Sequence, residues 1–522
     1  MKKILSVATL LCIFTAECAT GSSVLLYEDR FVLAERGKRS TCVIEVDDDT
    51  APSVNYAAQE LRDYLKKITG EELFIEKSAN RSRRWHAVVS IGLTNDPSLG
   101  DDGFEIFSTK DSLSVKGGKR GVIYGVYEVL ERYGGVLWLS PEYIHISEAE
   151  SFSVPTGLAL REVPAFSSRF LSTYDRRKFQ DFGVRLRQTE FLMAEKFGGC
   201  IPSFDNVLGK CHTFHCLVPA YKYYKSHPEY FSLVKGRRLR ERTQLCLTNP
   251  DVFAITLSNV LVRIEANKTD PLPHRRAVRF YGVSQNDWNN YCECENCAAI
   301  DAREESHAGC VIWFVNKIAE AVEKKYPDVM IETLAYMYSR KPPKYLKPRD
   351  NVMICLCTIE CDFSMPMSEN RYKENIDFLR NILRWRDISK HLYLWDYAAN
   401  WRATPVPYPN LKAYVENIRF YHNVGVRYLF EEGFPSPSAS FTDLKGWLGA
   451  KLMWNPYQPV APLVRRFCDA YYGKGAPFVR DFIKFMGEQD IDETKTPLTY
   501  AVTLEKMPFS QEFYERGREL WG

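Results

Sequence analysis

The sequence predicts an α/β protein in which a small α/β accessory domain precedes a TIM-like (β/α)8 barrel. The chain has 522 residues, too many for one ordinary domain and enough for a full barrel of roughly 250 residues. Its first part combines short strands with two amphipathic helices, and from Pro164 strand-like segments alternate with helices over about 300 residues. We therefore expect a signal peptide at 1–22, the accessory domain at 23–155, the barrel at 160–460 and a C-terminal helical segment at 461–522.

The N-terminus has the pattern of a secretory signal. Two lysines precede an apolar run at residues 4–14, and small residues follow at 16–21. A membrane-spanning helix needs about 20 apolar residues, and neither this run nor any later segment is long enough. We expect cleavage near residues 19–22 and export to the periplasm, the cell surface or the exterior. Cys18 leaves a lipoprotein open, although the three residues before it make a poor lipobox.

Local patterns define the accessory domain. Apolar residues recur at helical spacing from Pro52 to Ile68 and stop at Gly70, a residue type that commonly ends helices in the left-handed conformation. Later, two alternating segments flank polar turn residues, as in a hairpin. The predicted elements are strands at 24–27 and 41–46, a helix at 52–68, hairpin strands at 104–107 and 112–115, and a helix at 120–133.

Six strand-like segments and the helices between them predict the barrel. Strands that alternate with helices form βαβ units and a parallel sheet. The missing strands would lie between residues 174 and 275, where much of the sequence is typical of loops. The predicted strands are 168–173, 278–283, 330–336, 352–358, 392–397 and 427–430, and the clearest helices are 310–325, 375–386 and 410–422.

Composition excludes some partners. The formal net charge is +3 and no long basic stripe accompanies it, so nucleic acid is not an expected partner. Aromatic residues make up 13% of the chain, a level that suits platforms for sugar rings and equally suits a large core.

Fifteen cysteines are unusual for an exported protein, because that compartment can oxidise thiols. Cys292, Cys294 and Cys297 form a C-x-C-x2-C cluster that could bind zinc, form disulfides or tie down a tight turn. A second group is weaker, because its neighbours are typical of a buried strand or turn; it comprises Cys211, His212, His215 and Cys216. No cofactor is expected.

Two groups of motifs cover nearly all of the chain that would follow the signal. The first consists of Ala57-Ala58-Gln59-Glu60-Leu61, Ile68-Thr69-Gly70, Gly117-Gly118-Lys119-Arg120-Gly121, Tyr124-Gly125-Val126-Tyr127 and Leu130-Glu131. The second consists of His227-Pro228-Glu229-Tyr230-Phe231, Gln244-Leu245-Cys246-Leu247-Thr248-Asn249-Pro250, Ser284-Gln285-Asn286-Asp287 with the three cysteines, Thr333-Leu334-Ala335-Tyr336, Trp395-Asp396-Tyr397 with Asn400, Phe430-Glu431 with Gly433, and Ala450-Lys451-Leu452 to Trp454-Asn455-Pro456.

The first group resembles the accessory domain that precedes the barrel in hexosaminidases and α-glucuronidases. The second resembles the domain of unknown function 4838, which corresponds to glycoside hydrolase family 163. This resemblance implies an endo-acting β-N-acetylglucosaminidase on N-glycan-type oligosaccharides, with the glycan as its partner. The resemblance expects Gln where this chain has Glu432, which leaves a paired role for the two adjacent glutamates open.

Carboxylates at the C-terminal ends of barrel strands are the candidate catalytic groups, because the βα loops meet there. Glycoside hydrolysis needs a protonated carboxyl for the leaving oxygen and a second group that supports the cationic transition state. We expect Glu431 to be the general acid and Asp287 to orient the substrate N-acetyl group, whose carbonyl oxygen would act as nucleophile in a retaining reaction. Asp396 is the alternate for either role. Glu332, Glu360 and Asp362 are weaker candidates, and the expected substrate-binding residues are Asn286, Tyr336, Trp395, Asn400, Trp401, Glu432 and His212.

Structural roles compete with each of these assignments. An Asp after a strand often caps a helix, a buried Glu often forms an ion pair, and aromatic residues often belong to the core. Three other functions also stay open: a non-catalytic glycan-binding protein, a metal-dependent hydrolase built on the cysteine cluster, and an exo-glycosidase for another sugar such as a uronic acid or a hexosamine.

Overall fold

The computed structural model describes residues 29–82, 84–172, 179–189, 194–199, 203–433 and 439–521. The predicted signal segment and the predicted strand at 24–27 lie outside these residues.

The accessory domain is a six-stranded mixed sheet with two helices packed on it. Strands follow the order β10-β5-β6-β4-β2-β3, and a separate antiparallel ribbon joins β1 to β9. The predicted hairpin is the antiparallel β5–β6 pair, and both predicted helices are present. The elements are β1 (Arg30–Glu35), β2 (Cys42–Val46), α1 (Pro52–Thr69), β3 (Phe74–Lys77), β4 (Ala87–Leu93), β5 (Phe104–Ser108), β6 (Ser112–Gly117), α2 (Gly121–Gly134), β7 (Leu137–Trp138), β8 (Ile144–His145), β9 (Ser151–Pro155) and β10 (Ala159–Glu162).

Helix α1 begins and ends where the sequence predicts. Pro52 occupies the first turn, where its missing N–H costs no intrahelical hydrogen bond. Gly70 adopts the left-handed conformation, with φ of 83°, and its N–H donates to the Lys66 carbonyl oxygen. The apolar face between these ends is buried against the sheet.

The second part of the chain forms a curled sheet of seven parallel strands among the described residues, surrounded by helices. The order is β12-β15-β16-β17-β18-β19-β11, so the strands succeed one another round the sheet as they do along the chain, except that β11 pairs with β19. A small antiparallel hairpin, β13–β14, lies outside this sheet. The strands are β11 (Ser168–Leu171), β12 (Ser203–Phe204), β13 (Leu233–Val234), β14 (Arg237–Arg238), β15 (Val278–Gly282), β16 (Met330–Ala335), β17 (Val352–Cys357), β18 (His391–Tyr397) and β19 (Tyr428–Glu432).

All six predicted barrel strands are present, and the TIM-like fold class is confirmed. The seventh strand, β12, has only two residues and lies in the region where the sequence is typical of loops. Where the sequence suggests a strand or turn, residues 214–217 form the short helix α4 instead. The helices are α3 (Gln180–Arg185), α4 (Phe214–Leu217), α5 (Ala220–Tyr223), α6 (Pro250–Lys268), α7 (Pro273–Arg276), α8 (Glu295–Glu304), α9 (Ala308–Glu323), α10 (Lys373–Ile388), α11 (Leu411–Asn423), α12 (Thr442–Trp454), α13 (Val460–Tyr472), α14 (Ala476–Gly487) and α15 (Gln511–Trp521).

The barrel interior is filled by alternate residues of the strands. Because successive strand side chains point to opposite faces, every second residue faces inward and the others face the helix layer. The inward residues form one compact cluster that includes Phe170, Phe280, Leu334, Met353, Cys355, Tyr393 and Phe430. This alternation decides which strand-end carboxylates can reach the barrel mouth.

The C-terminal segment contains helices α13, α14 and α15, and part of it returns to the barrel mouth. Between α14 and α15, the Leu498 N–H donates to Asp362 over 2.6 Å, and Tyr500 accepts from the Trp401 N–H through its carbonyl oxygen over 2.7 Å. None of the described helices is both long and apolar enough to cross a membrane.

Buried charges join the accessory domain to the barrel. Asp102, in the loop before β5, accepts from Arg120 at the start of α2 and from Arg169 of β11, the latter over 2.8 Å. Arg169 is fully buried and also donates to the carbonyl oxygens of Arg187 and Phe166. The two domains therefore share a buried polar junction.

Candidate active site

A cleft opens at the C-terminal ends of the barrel strands. Its walls come from the ends of β16, β17, β18 and β19, from the loops after β12 and β15, and from the C-terminal segment. The lining residues are His212, Asp287, Leu334, Tyr336, Cys357, Ile359, Trp395, Tyr397, Trp401, Glu432 and Tyr500.

Asp287 is a cleft carboxylate, as the sequence predicts. It lies on the loop after β15, and its side chain is 60% exposed. The Tyr336 hydroxyl donates to Asp287 Oδ1 over 2.9 Å, and His212 Nε2 lies 3.9 Å from the same oxygen. Asp287 caps no described helix, since the next one, α8, begins at Glu295. One of its oxygens is therefore fixed by Tyr336, while the side chain stays open to the cleft.

His212 faces Asp287 in a defined tautomer. Its Nδ1 lies 2.9 Å from the Gln285 carbonyl oxygen, which can only accept, so Nδ1 carries a proton. The residue has φ of 55°, a left-handed conformation that is uncommon outside glycine, and its side chain lines the cleft. In its neutral form, His212 therefore presents Nε2 as an acceptor.

Glu432 is the second cleft carboxylate. It lies on the same face of β19 as Phe430, so its side chain points into the barrel mouth. The Trp395 indole N–H donates to Glu432 Oε2 over 2.6 Å. Burial raises the pKa of the Glu432 carboxyl, while the Trp395 N–H and the Lys210 ammonium group act in the opposite direction. The net shift is upward, which favours a protonated carboxyl.

Glu431 and Asp396 do not reach the cleft. Both side chains lie on the outer face of their strands, opposite to the inward residues. Both are buried between the sheet and α11, near Tyr414 and Tyr421. Neither Glu431 oxygen has a hydrogen-bond partner among the described residues, and burial, followed by the Asp396 charge, raises its pKa well above the usual value. Asp396 accepts from the Thr358 hydroxyl over 2.6 Å, and burial raises its pKa to about 6. The burial of Glu431 and Asp396 therefore conflicts with the catalytic roles that the sequence predicts for them, whereas Glu432 is the carboxylate at the end of β19 that lines the cleft.

Two residues that the sequence predicts to bind substrate, Asn400 and Asn286, hold loops together and do not line this cleft. The Asn400 amide donates to the Val502 carbonyl oxygen over 2.9 Å and accepts from the Arg402 N–H over 3.0 Å, so it fixes the turn that carries Trp401. The Asn286 amide accepts from the His215 N–H and donates to the Thr243 carbonyl oxygen. Asn286 still borders a neighbouring cavity, but its hydrogen-bonding capacity is largely used by the loops.

The aromatic walls are partly as predicted. Tyr336, Trp395 and Trp401 all line the cleft. Tyr397 and Tyr500 do so as well, with ring centroids 5.2 Å apart. The sequence predicts no role for Tyr500, because nothing local indicates that a segment after the barrel returns to its mouth.

A second cavity adjoins the first and shares His212 and Asp287 with it. Trp288, 42% exposed, and the basic residues Arg240 and Arg242 lie on its walls. The full lining comprises His212, His215, Val218, Ala220, Phe231, Arg240, Arg242, Thr243, Leu245, Asn286, Asp287 and Trp288. Asp287 therefore stands between two adjacent spaces, an arrangement that suits a bond joining two units of a substrate.

The weaker candidates are not cleft residues. Glu332 is fully buried in the barrel interior, its oxygens have no hydrogen-bond partner among the described residues, and burial raises its pKa well above the usual value. Glu360 pairs with Arg340 at 3.2 Å, and Asp362 accepts from Ser364 and Asn370. Each of these three carboxylates is therefore buried or held by neighbouring side chains, and none lines the cleft.

A family model matches residues 138–484, which is most of the chain. The chain belongs to the family described as domain of unknown function DUF4838. The matched region contains all seven parallel strands and both cleft carboxylates. No curated protein sequence matches the chain significantly.

One solved structure is similar enough to show that this DUF4838 chain shares its fold. A family GH115 4-O-methyl-α-glucuronidase with specificity for decorated arabinogalactans matches 94% of this chain and 68% of its own, with a TM-score of 0.53 and 13% identity. A chitobiase from Flavobacterium johnsoniae has a TM-score of 0.49 and 12% identity, over 88% of this chain and 74% of its own. A β-N-acetylhexosaminidase from Bacteroides fragilis has a TM-score of 0.46 and 12% identity, over 93% and 96%.

Proposed function

We propose that this protein is a glycoside hydrolase whose reaction takes place between Asp287 and Glu432. The observation that carries the proposal is that these two carboxylates, far apart in the sequence, line one cleft with five aromatic residues. Aromatic faces stack on the apolar faces of sugar rings, and paired carboxyl groups supply the acid and the stabilising charge of glycoside hydrolysis. The fold shared with the GH115 α-glucuronidase is consistent with this function.

Glu432 is the proposed general acid. A carboxyl group serves this role when burial keeps it protonated near neutral pH, and the pKa of Glu432 is shifted in that direction. Its proton passes to the glycosidic oxygen as the bond to the anomeric carbon breaks. The resulting carboxylate then accepts a proton from the water that completes hydrolysis.

Asp287 is the proposed partner for a substrate N-acetyl group. Tyr336 holds one carboxylate oxygen, which leaves the other to accept from the amide N–H of the sugar. The acetamido carbonyl oxygen would then attack the anomeric carbon and form a cyclic intermediate, which water opens with retention. Together with the sequence resemblance, this arrangement favours β-N-acetylglucosaminide linkages of N-glycan-type oligosaccharides as the substrate.

A second candidate substrate carries a negative charge. Arg240 and Arg242 border the cavity next to Asp287, and guanidinium groups bind carboxylates well. The GH115 protein is named as a 4-O-methyl-α-glucuronidase, and glucuronic acid is a negatively charged sugar of this kind. An exo- or endo-glycosidase that places a uronic acid in this cavity is therefore the alternative.

A cleavage assay tests the function directly. We expect the protein to shorten a fluorescently labelled N-glycan, with the product followed by chromatography and mass spectrometry. A parallel panel of aryl glycosides, including N-acetylglucosaminides and glucuronides, distinguishes the two substrate classes. Binding of the labelled glycan without any product would favour a non-catalytic glycan-binding protein.

Variants test the two roles. Glu432→Gln and Asp287→Asn should each lower turnover by at least about two orders of magnitude, the usual scale of a lost acid–base group. Glu432→Gln also introduces the residue that the family resemblance expects at this position. The matched control is Glu431→Gln, which replaces a buried carboxyl group by an amide of nearly the same shape and should keep near-normal turnover. Full activity of Glu432→Gln, or loss of activity only in Glu431→Gln, would reject the assignment of the acid.

A further inference from the structure

Four cysteine sulfurs meet at one point beside the barrel mouth. Cys292 and Cys294 lie on the loop before α8, Cys297 lies in the first turn of α8, and Cys246 comes from the segment before α6. The four Sγ atoms all lie within 4.8 Å of one another. The sequence predicts the group of three, but Cys246, which is distant in the chain, completes it.

The spacing of these sulfurs fits one metal ion. Zinc binds thiolates at about 2.3 Å in a tetrahedron, and simple geometry then places two sulfurs about 3.8 Å apart. The Cys246 and Cys294 sulfurs are separated by 3.6 Å. A disulfide would require about 2.05 Å, and all four residues are free cysteines.

We propose that Cys246, Cys292, Cys294 and Cys297 bind one zinc ion as a four-thiolate structural site. All four tetrahedral positions would be taken by protein sulfur, which is typical of structural zinc and leaves no open position for water or substrate. The metal would therefore not perform the hydrolysis. A polynuclear iron–sulfur cluster would hold its four ligating sulfurs farther apart than a single ion does, so the compact group favours one ion.

Neighbouring groups are placed to support thiolates. The Leu233 N–H donates to Cys292 Sγ over 3.4 Å, and an Arg238 guanidinium nitrogen lies 3.7 Å from the same sulfur. The Thr248 hydroxyl lies 3.2 Å from Cys297 Sγ and 3.8 Å from both Cys246 and Cys294 Sγ. Donors around metal-bound thiolates orient them and offset their negative charge.

The site would tie together the loops that border the cleft. Cys246 lies two residues after Gln244, whose side chain donates to the Asn286 carbonyl oxygen over 2.8 Å and accepts from the Asn286 N–H over 2.8 Å. Cys292 follows Asp287 on the same loop. Zinc would thus fix the segment that carries Asp287, and it would protect the thiols in an oxidising compartment if the chain is exported.

Metal analysis of the full-length protein tests the proposal. We expect native mass spectrometry and elemental analysis to find one zinc per chain. Cobalt substitution should produce the near-ultraviolet charge-transfer bands of a thiolate-bound ion. Cys297→Ser and Cys246→Ser should reduce zinc to a small fraction of this amount, whereas Cys468→Ser, which removes a buried free thiol in α13, should retain it.

The wild-type protein alone can overturn the inference, so variants that fail to fold do not prevent a decision. A folded metal-free chain with reactive thiols, or a mass that indicates disulfides within the cluster, would reject a metal site. Iron in place of zinc would reject the zinc assignment. None of these measurements depends on glycosidase activity, so the zinc proposal and the proposed function can fail separately.

Discussion

Trp395 and Glu432 form the contact that controls the strength of the proposed acid. The indole N–H donates to the carboxylate over 2.6 Å, and such a bond stabilises the ionised form. Burial acts in the opposite direction and is the larger effect, so the pKa of Glu432 stays above its usual value. Because the general acid must be protonated, activity should decline as pH rises through this raised pKa.

Replacing Trp395 by Phe should move that decline to higher pH. The variant removes the donor that favours the carboxylate, so the pKa of Glu432 should rise further. A hydrogen bond to a charged group contributes about 1.5–3 kcal/mol, and about 1.4 kcal/mol corresponds to one pKa unit. We expect the alkaline limb of the kcat/KM profile to move upward by about one to two pH units.

Trp401→Phe is the matched control for this experiment. Trp401 also lines the cleft, but it is not one of the groups that shift the pKa of Glu432, which are Trp395 and Lys210 besides burial. This variant should change KM while leaving the alkaline limb in place. A limb that moves to lower pH in Trp395→Phe would contradict the assignment of Glu432 as the acid.

At the residue scale, the sequence predicts strand ends better than it predicts strand faces. Asp287 follows a strand on a loop, so its position alone brings it to the barrel mouth. Glu431 and Glu432 both end β19, and only the register of that strand decides which side chain faces inward. The nearly uniform apolar character of buried parallel strands carries little information about the inner face, so the sequence favours Glu431, one residue away from the carboxylate that lines the cleft.

At the scale of single elements, the start of α2 packs unusually closely on the loop at residues 100–103. The Gly121 N–H donates to the Asp101 carbonyl oxygen over 2.9 Å, and the Gly118 N–H donates to the Gly103 carbonyl oxygen over 3.0 Å. A Cβ on Gly121 would collide with the Gly103 carbonyl oxygen. This contact explains why glycine occupies position 121.

Gly121→Ala should therefore destabilise the protein. The added methyl group meets backbone, which cannot move aside as a flexible side chain can, and overpacking of this kind costs about 1–3 kcal/mol. We expect a lower urea midpoint and a lower melting temperature. Gly475→Ala is the control, because a Cβ there meets no atom within 4 Å and its φ of −79° suits any residue. Equal stability of the two variants would contradict the close packing.

Elements with strong local signals are predictable, and those fixed by distant partners are not. The Pro52 start and the Gly70 end of α1 depend on neighbouring residues, so the sequence identifies both. Strand β12 has two residues and exists because it pairs with β15, which no local pattern reveals. Cys246, the fourth member of the cysteine group, and Tyr500 are missed in the same way, since each depends on the path of the whole chain.

At the scale of the whole molecule, Asp102 joins the two domains through buried ion pairs with Arg120 and Arg169. Burial alone would raise its pKa, but the Arg120 and Arg169 guanidinium groups outweigh burial and hold the pKa below the usual value. Both arginines are almost fully buried, so neither can turn to water if the carboxylate is removed. The junction should make the accessory domain and the barrel unfold together.

Asp102→Asn should weaken that junction and lower stability. Breaking a buried ion pair from one side costs about 3–5 kcal/mol, because the remaining charge stays buried without its partner. The neighbouring Asp101→Asn provides the control, since its half-exposed carboxylate lies 3.6 Å from Arg120 and should contribute little. Calorimetry should show a lower transition temperature for Asp102→Asn only, with one transition in the wild-type protein; two separate wild-type transitions would contradict a shared junction.

The pH dependence of this loss has a definite sign. A carboxyl whose pKa is lower in the folded than in the unfolded state stabilises the fold above its unfolded value, about 3.9 for Asp, and loses that contribution as pH falls through the lower folded value. The difference in transition temperature between wild type and Asp102→Asn should therefore be full at pH 6 and should shrink steadily below about pH 4. A difference that stays constant down to pH 3 would mean that altered packing, and not the lost charge, destabilises the variant.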